Sequence, residues 1–373
     1  MKFNCNQQEL AKALNIVSKA VSVRTTIPTL KGILMEVKDA GTLVLTASDM
    51  DITIEDKIAI EDGEVGSLVV PAKLFGDIIR KMPAGFVQIS TDGEKVHIKC
   101  NSSEFDVIGM PADEFPNIKN TEEDAKEMVL DCGLFSTMIR RTAFAASVDQ
   151  TKGVITGILV ELSSDQLRMV AIDGYRMAIN TEPSSNETVG RFIISAHIMS
   201  ELGKILTDAS KEGEDETVTM LVDSKSAVFR KGDLKIVTRM IAGEFIAYDK
   251  ILPKNATIEV VLRKAELTES VERASLLSKE GKNNLIKMAL RDHVMTITSR
   301  SEEGNVKEDL LIEKEGDDLD IGFNARYMMD ILRAIDDEEI RMQFSTAVSP
   351  CLILPKEGEA YQYLILPVRL NNL

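Results

Sequence analysis

The sequence predicts an α+β fold written three times in one chain of 373 residues. Three observations carry that prediction. A helix-start segment recurs as VVPAKLFGDIIRKM (69–82), IISAHIMSELGKIL (193–206) and GFNARYMMDILRAI (322–335). Its anchors Pro71, Ser195 and Asn324 lie 124 and 129 residues apart, a step that unrelated segments do not keep twice. Within each copy, helix-period stretches are few and short alternating runs are many, so helices and sheet segregate instead of forming β-α-β crossovers.

Each copy opens on an amphipathic helix pattern, at 7–20, 133–147 and 264–277. A strand follows: GILMEV from Gly32, GILVEL from Gly157 and KMALRD from Lys287, with steps of 125 and 130 residues. The alternating runs TLVLTAS, QLRMVAI and VMTITSR come next and read as half-buried strands. The shared helix-start segment then begins on residues suited to a helix N-terminus. Pro71 suits a first helical position, and Ser195 and Asn324 are good N-caps. The copies close on VIGMPADEF from Val107, VTRMIAGEF from Val237 and YLILPVRL from Tyr363. One module is therefore two helices and about eight short strands. Polar connectors at 116–126 (PNIKNTEEDAK) and 252–256 (LPKNA) set expected domains of 1–120, 121–252 and 253–373.

Composition narrows the function. Apolar residues make up 44% and charged residues 28%, as in globular domains. Residues 1–10 are polar, and no apolar run reaches the ~18 residues of a membrane span, so neither a signal peptide nor a membrane partner is expected. Cys5, Cys100, Cys132 and Cys351 are far apart and form no C-x-x-C, which fits a reduced cytoplasmic protein with buried thiols. Phosphate-loop, dinucleotide-binding, serine-hydrolase and zinc-protease motifs are absent, and His97, His197 and His293 are isolated; no cofactor, metal site or catalytic residue is expected. One enzyme-like match exists. Asp49-Met50-Asp51-Ile52-Thr53 resembles the D-x-D-x-T motif of haloacid-dehalogenase-type phosphatases, with Asp49 as nucleophile and Asp51 as acid and base. Ile52 and Ile54 alternate with Thr53 and Glu55, however, as in a continuing strand, and the element order does not supply that fold's parallel sheet. A second alternative is an acidic interaction scaffold that never meets DNA.

Charge is unevenly placed. The chain carries −16, yet the six helical segments sum to +6, which leaves −22 for strands and loops. If the helices of all modules face one way, that face attracts phosphate while the remaining surface repels it. Lys73, Arg80 and Arg141 are the helix cations expected to meet nucleic-acid phosphate on that face.

The segments MKFNCNQQEL, SVRTTIPTLKGIL, PAKLFGDIIRKMP, MPADEFPNI, AIDGYRMAI, ILPKN, IGFNARYMMDIL and LILPVRL resemble, in order and over the whole chain, the bacterial DNA polymerase III beta subunit family of sliding clamps. The resemblance implies a non-enzymatic processivity factor: a head-to-tail homodimer ring of clamp domains, helices lining a central channel and antiparallel sheets outside, that encircles duplex DNA without reading sequence. It implies a partner cleft for short peptide motifs of the polymerase III catalytic subunit, the clamp loader, other polymerases and mismatch-repair proteins. By position, that cleft comprises Ile155, Ile172, Gly174, Tyr175, Arg176 and Met177, with Ile246, Lys250 and Ile251, and with Leu364, Ile365, Leu366, Pro367, Val368 and Arg369. Ile246 departs from a proline and Tyr175 from a histidine found in well-known members. Arg24 and Lys152 match family positions near DNA, and Phe105 and Val107 of one chain are expected to meet Leu276 and Leu277 of another.

Overall fold

The computed structural model describes residues 1–22, 25–116, 125–184, 189–211, 216–279 and 284–370. The first module contains β1 (Lys2–Asn6), α1 (Gln7–Val17), β2 (Gly32–Asp39), β3 (Thr42–Ser48), β4 (Ile52–Ala59) and β5 (Glu61–Glu64). It continues with β6 (Gly66–Pro71), α2 (Ala72–Lys81), β7 (Phe86–Asp92), β8 (Lys95–Cys100) and β9 (Ser103–Ile108). The second runs through β10 (Lys126–Asp131), α3 (Cys132–Ala143), β11 (Gly157–Leu162), β12 (Gln166–Ile172) and β13 (Arg176–Pro183). Its second half is β14 (Gly190–Ser195), α4 (Ala196–Lys211), β15 (Thr217–Val222), β16 (Ser226–Lys231) and β17 (Leu234–Arg239). The third has β18 (Ile258–Arg263), α5 (Lys264–Ser278), β19 (Leu285–Arg291), β20 (Val294–Ser301), β21 (Gly304–Leu311) and β22 (Glu313–Glu315). It ends with β23 (Leu319–Asn324), α6 (Ala325–Ala334), β24 (Glu339–Phe344), β25 (Cys351–Pro355) and β26 (Tyr361–Ile365).

Helices α1 and α6 start where an Asn side chain satisfies their free N–H groups. Asn6 accepts from the N–H of Gln8 and Glu9, and Asn324 from those of Arg326 and Tyr327. Pro71 occupies the N-cap position itself, one residue earlier than expected, and makes no side-chain cap. Helix α3 ends at Ala143, short of the expected 147.

All named strand pairs are antiparallel, but the sheets do not stop at module borders. The eight-stranded sheet runs β10-β15-β16-β17-β4-β3-β2-β6, and the nine-stranded sheet runs β14-β11-β12-β13-β26-β25-β24-β18-β22. Each joins half of one module to half of the next, through β17 against β4 and through β26 against β13. The chain accordingly divides into two compact units, Met1–Gly133 with Lys204–Met240 and Leu134–Gly203 with Ile241–Leu373. The second module contributes strands to both. Two smaller sheets, β5-β1-β7-β8-β9 and β21-β20-β19-β23, end on β9 and β21.

The repeat is kept in packing more strictly than in letters. Gly32 faces Val69, and Gly157 faces Ile193, so closely that a Cβ would lie 2.4 and 2.5 Å from the branched side chain opposite. In the third module the small partner has changed strands: Gly322 faces Leu285, and its Cβ would lie 3.0 Å from that side chain. Pairing of Leu285 with Asn324 matches Gly32 with Pro71 and Gly157 with Ser195. The third strand therefore starts two residues before Lys287, the position the letters suggest. An even shift leaves the inward face unchanged, which is why the pattern survived it.

Candidate functional site

The second unit gathers the residues expected at a peptide cleft. The hairpin between β12 and β13 turns on Asp173, whose carboxylate accepts from the N–H of Tyr175 at 2.8 Å and of Arg176 at 3.0 Å. Gly174 supplies the left-handed position at φ +94°. This turn pushes Tyr175 outward, 56% exposed, where its ring stacks on Tyr327 at 5.9 Å and 27°. Leu366 is tied to the same turn, its N–H donating to the Tyr175 carbonyl at 2.8 Å.

Beneath lies one apolar cluster containing Ile172, Met177, Phe245, Tyr248 and Leu364, with Val154 and Ile155 packed on it. Its floor is the sheet junction, where Met177 is paired with Leu364 and Arg176 with Ile365. Ile246, Ile251 and Leu366, apolar side chains left open to solvent, are each between 37% and 38% exposed. Lys250 and Arg369 are exposed, Pro367 is half-buried, and Val368 is half-buried and bridged to Gly322.

Arg176, one of the residues expected at the cleft, is buried. It is 8% exposed, with Nε donating to Asp173 (3.0 Å), one terminal nitrogen to Asp330 (2.6 Å) and the other to the Phe144 carbonyl (2.8 Å). Its guanidinium lies over the rings of Tyr327 and Phe144 at 4.5 and 5.3 Å. A buried guanidinium with this many partners holds structure together and is not free to greet a ligand. The sequence reading does not include Tyr248, Phe245 and Tyr327, which the fold brings to the site. Tyr248 donates to Glu161 and accepts from Arg168, and burial pushes its hydroxyl up to about 12. Only its position three residues after the GEF of the closing segment could have drawn attention to it.

The candidate phosphate-facing cations differ from one another once folded. Lys73 is exposed on α2 and lines a 270 Å3 hollow with Asn15, Ser18, Gly76 and Arg80. Arg80 is exposed but engaged by Asp77. Arg141 was expected at DNA, yet its side chain is 16% exposed, pairs with Asp336 (3.3 Å) and Glu182 (3.7 Å), and lies over Tyr361. Burial works against the Asp336 charge, but Arg140 and Arg141 hold its carboxyl below the usual range. Lys152 is exposed beside the Asp149 turn, and Arg24 lies outside the described residues. Arg326 and Arg333, seven residues apart on α6, are exposed; Asp330 between them is drawn inward by Arg176. Their i, i+7 spacing was the available signal.

At the sheet ends, Phe105 on β9 is 45% exposed and Leu276 on α5 is 63% exposed, whereas Leu277 is half-buried. Val107, on the same strand as Phe105, is 5% exposed and packs into the core.

Models of the DNA polymerase III beta subunit match the chain in three consecutive pieces: the N-terminal domain at residues 1–119, the central domain at 130–246 and the C-terminal domain at 249–369. The chain belongs to the DNA polymerase III beta subunit family. The beta sliding clamp of Staphylococcus epidermidis is 32% identical over 381 residues, covering 99% of both chains. The beta subunit structure from Thermotoga maritima is 31% identical with a TM-score of 0.92, covering 99% of this chain and 100% of that one. The sliding clamp structure from Bacillus subtilis is 30% identical with a TM-score of 0.92 over 100% of both chains.

The family is one of DNA sliding clamps, processivity factors in replication that do no chemistry of their own. The phosphatase reading of Asp49 and Asp51 is overturned by this membership and by the geometry. The Asp49 carboxylate accepts from the N–H of Asp51 and Ile52, closing the β3–β4 turn. Asp173 closes the β12–β13 turn in the same way, and Ser301 accepts from the Glu303 N–H at the β20–β21 turn. The D-x-D is one copy of a thrice-repeated turn cap. Among the described residues no group of three or more His, Cys, Asp or Glu is placed to hold a metal, and no helix is long and apolar enough to cross a membrane.

Proposed function

We propose that the chain is one half of a closed homodimeric ring that encircles duplex DNA in the cytoplasm, tethers the replicative polymerase, and docks the clamp loader and repair proteins through the Tyr175–Leu366 cleft. Clamp domains of 1–120, 121–252 and 253–373 supply six helix pairs per ring, their basic face toward the DNA. The observation that carries this reading is the matching of strand edges. Each module offers the last strand of its first half-sheet (β4, β13, β21) to the last strand of the following module (β17, β26). That leaves β21 and β9 over, a donor and an acceptor of the same junction on one chain. A head-to-tail contact between two copies uses both.

The internal junctions supply the register. Turn pairs Cys100 with Ser103 and Lys231 with Leu234 align Phe105 with Ile236; pairs Ser48 with Thr53 and Arg300 with Asn305, which end the matching runs TLVLTAS and VMTITSR, align Val306 with Ile54. Since Ile236 pairs with Ile54 and Lys235 with Glu55, Phe105 meets Val306 and Glu104 meets Lys307 across the ring, apolar on apolar and acid on base. The helix contact has a template too. Phe144, 12 residues after Cys132 and just past the end of α3, touches Tyr363 at a ring distance of 5.6 Å, five residues before the Val368 bridge. Leu276 is 12 residues into α5 from Lys264, and Phe105 is five residues before the Met110 bridge, so these two occupy the same places.

Solution mass tests this reading. Light scattering should give twice 41.2 kDa at micromolar concentration, and a stable monomer would contradict it. Weak contact with the encircled duplex is what sliding needs. The triple variant Lys73→Ala, Arg326→Ala, Arg333→Ala should stay dimeric and lower the salt slope of duplex binding by about 1 for each phosphate that is no longer neutralised. An unchanged slope would remove those residues from the DNA face.

A further inference from the structure

We propose that Asp330, on α6 of the third module, is a positioning residue for the peptide cleft, acting through Arg176 on the hairpin of the second. The proposal rests on the cleft reading above and adds a residue that is itself aimed away from the ligand. Arg176 takes its three side-chain partners from two modules: Asp173 and the Phe144 carbonyl from the second, Asp330 from the third. The Asp330 contact is the shortest of the three, at 2.6 Å, between side chains that are 9% and 25% exposed. Water competes poorly there, and a charge-assisted bond counts for more than at the surface.

Tyr327 precedes Asp330 by three residues and shares its face of α6. One helix face thus delivers two contacts onto one hairpin: the Tyr327 ring over the guanidinium and against Tyr175, and the carboxylate into the guanidinium's edge. Asp173 can hold Arg176 to its own turn, but it cannot hold that turn to α6. With Asp330 neutral, the Tyr175 ring and the Leu366 backbone bonded to it lose their fixed place beside Tyr327. The cleft wall then has to be ordered by the ligand, which weakens binding. Charge and shape are separable at this position, because Asp330→Asn keeps the size of the side chain and removes the ion pair.

The test uses the full-length dimer and three variants: Asp330→Asn, Asp330→Glu and Asp330→Ser. The probe is a fluorescein-labelled peptide copying the C-terminal tail of the polymerase III catalytic subunit from the same cell. The second readout is near-ultraviolet circular dichroism of tyrosine, clean because the chain has 5 Tyr and no Trp. Asp330→Asn should weaken the peptide roughly tenfold and reduce the tyrosine signal, and Asp330→Glu should recover most of both. Should Asp330→Asn fail to fold, Asp330→Ser, which also removes the ion pair and keeps all five tyrosines, must show the same paired loss. Wild-type affinity and spectrum in Asp330→Asn overturn the proposal, as does a Glu variant no better than the Asn one. If the wild-type protein does not bind the peptide, the cleft reading fails instead, and the tyrosine signal still decides whether Asp330 orders the hairpin.

Discussion

Replacing Phe105 with Asp should turn the dimer into monomers. Phe105 lies on the inward face of β9, opposite Ile98 and two residues from buried Val107, but its own ring is 45% exposed in the single chain. In the proposed ring it would fill the place of Ile236 at the first internal junction and of Tyr363 at the second. Both of those are buried. Truncating a central aromatic anchor costs about 2–4 kcal/mol, and a carboxylate confined there without a partner costs more. A two-fold ring of the proposed kind has two such interfaces by symmetry, so the dimer dissociation constant should rise by roughly a thousandfold or more. Because Phe105 is half-open in the monomer, thermal unfolding of each subunit should shift little. Sedimentation at micromolar concentration reads the outcome directly. Leu276→Asp should act in the same direction from the other side of the contact, and mixing the two variants should not restore the ring.

The double variant Ile246→Asp, Leu366→Asp should abolish capture of the polymerase-tail peptide while leaving the dimer and its melting temperature unchanged. Both side chains are 38% exposed, one next to Phe245 and the other two residues past Leu364 of the buried cluster. An apolar ligand anchor seated between them loses about 2 kcal/mol or more at each, so affinity should fall by roughly a thousandfold. Isothermal calorimetry with the tail peptide checks it; binding within tenfold of wild type would move the cleft elsewhere. Cruder tests are misleading here. Deleting the chain from Leu364 onward also removes two residues of β26 that pair with Met177 and Arg176, and so opens the sheet itself. Truncation after Ile365 keeps the strand and removes Leu366. Arg176→Ala strands Asp173 and Asp330 in a poorly solvated place, so it reports on folding before it reports on the peptide.

The modules, the six helices and the strand count of each module were legible because they rest on local periodicity and on spacing. The merging of half-sheets was not. β4 pairs with β17 across more than 180 residues, and nothing in either strand's alternation distinguishes that partner from another. The same distance hid the fate of the cations. Arg141 and Arg176 read as free positive charge until the fold brings Asp336 and Asp330 to them from 195 and 154 residues away. Local pattern also misled where two meanings share one spelling. Asp49-Met-Asp is a nucleophile motif in a parallel sheet and a turn cap in a hairpin, and only the topology decides. Val107 and Phe105 look alike as interface residues in the letters, since both face inward; only the edge residue lacks its own cover.

Retention on DNA of different topology tests the central claim most directly. Loaded onto nicked circular duplex with the clamp loader, the protein should stay bound through a high-salt gel-filtration column and leave once a single cut linearises the circle. Equal retention on circular and linear duplex, or salt-sensitive loss from both, would mean that it holds DNA by adhesion and not by enclosure.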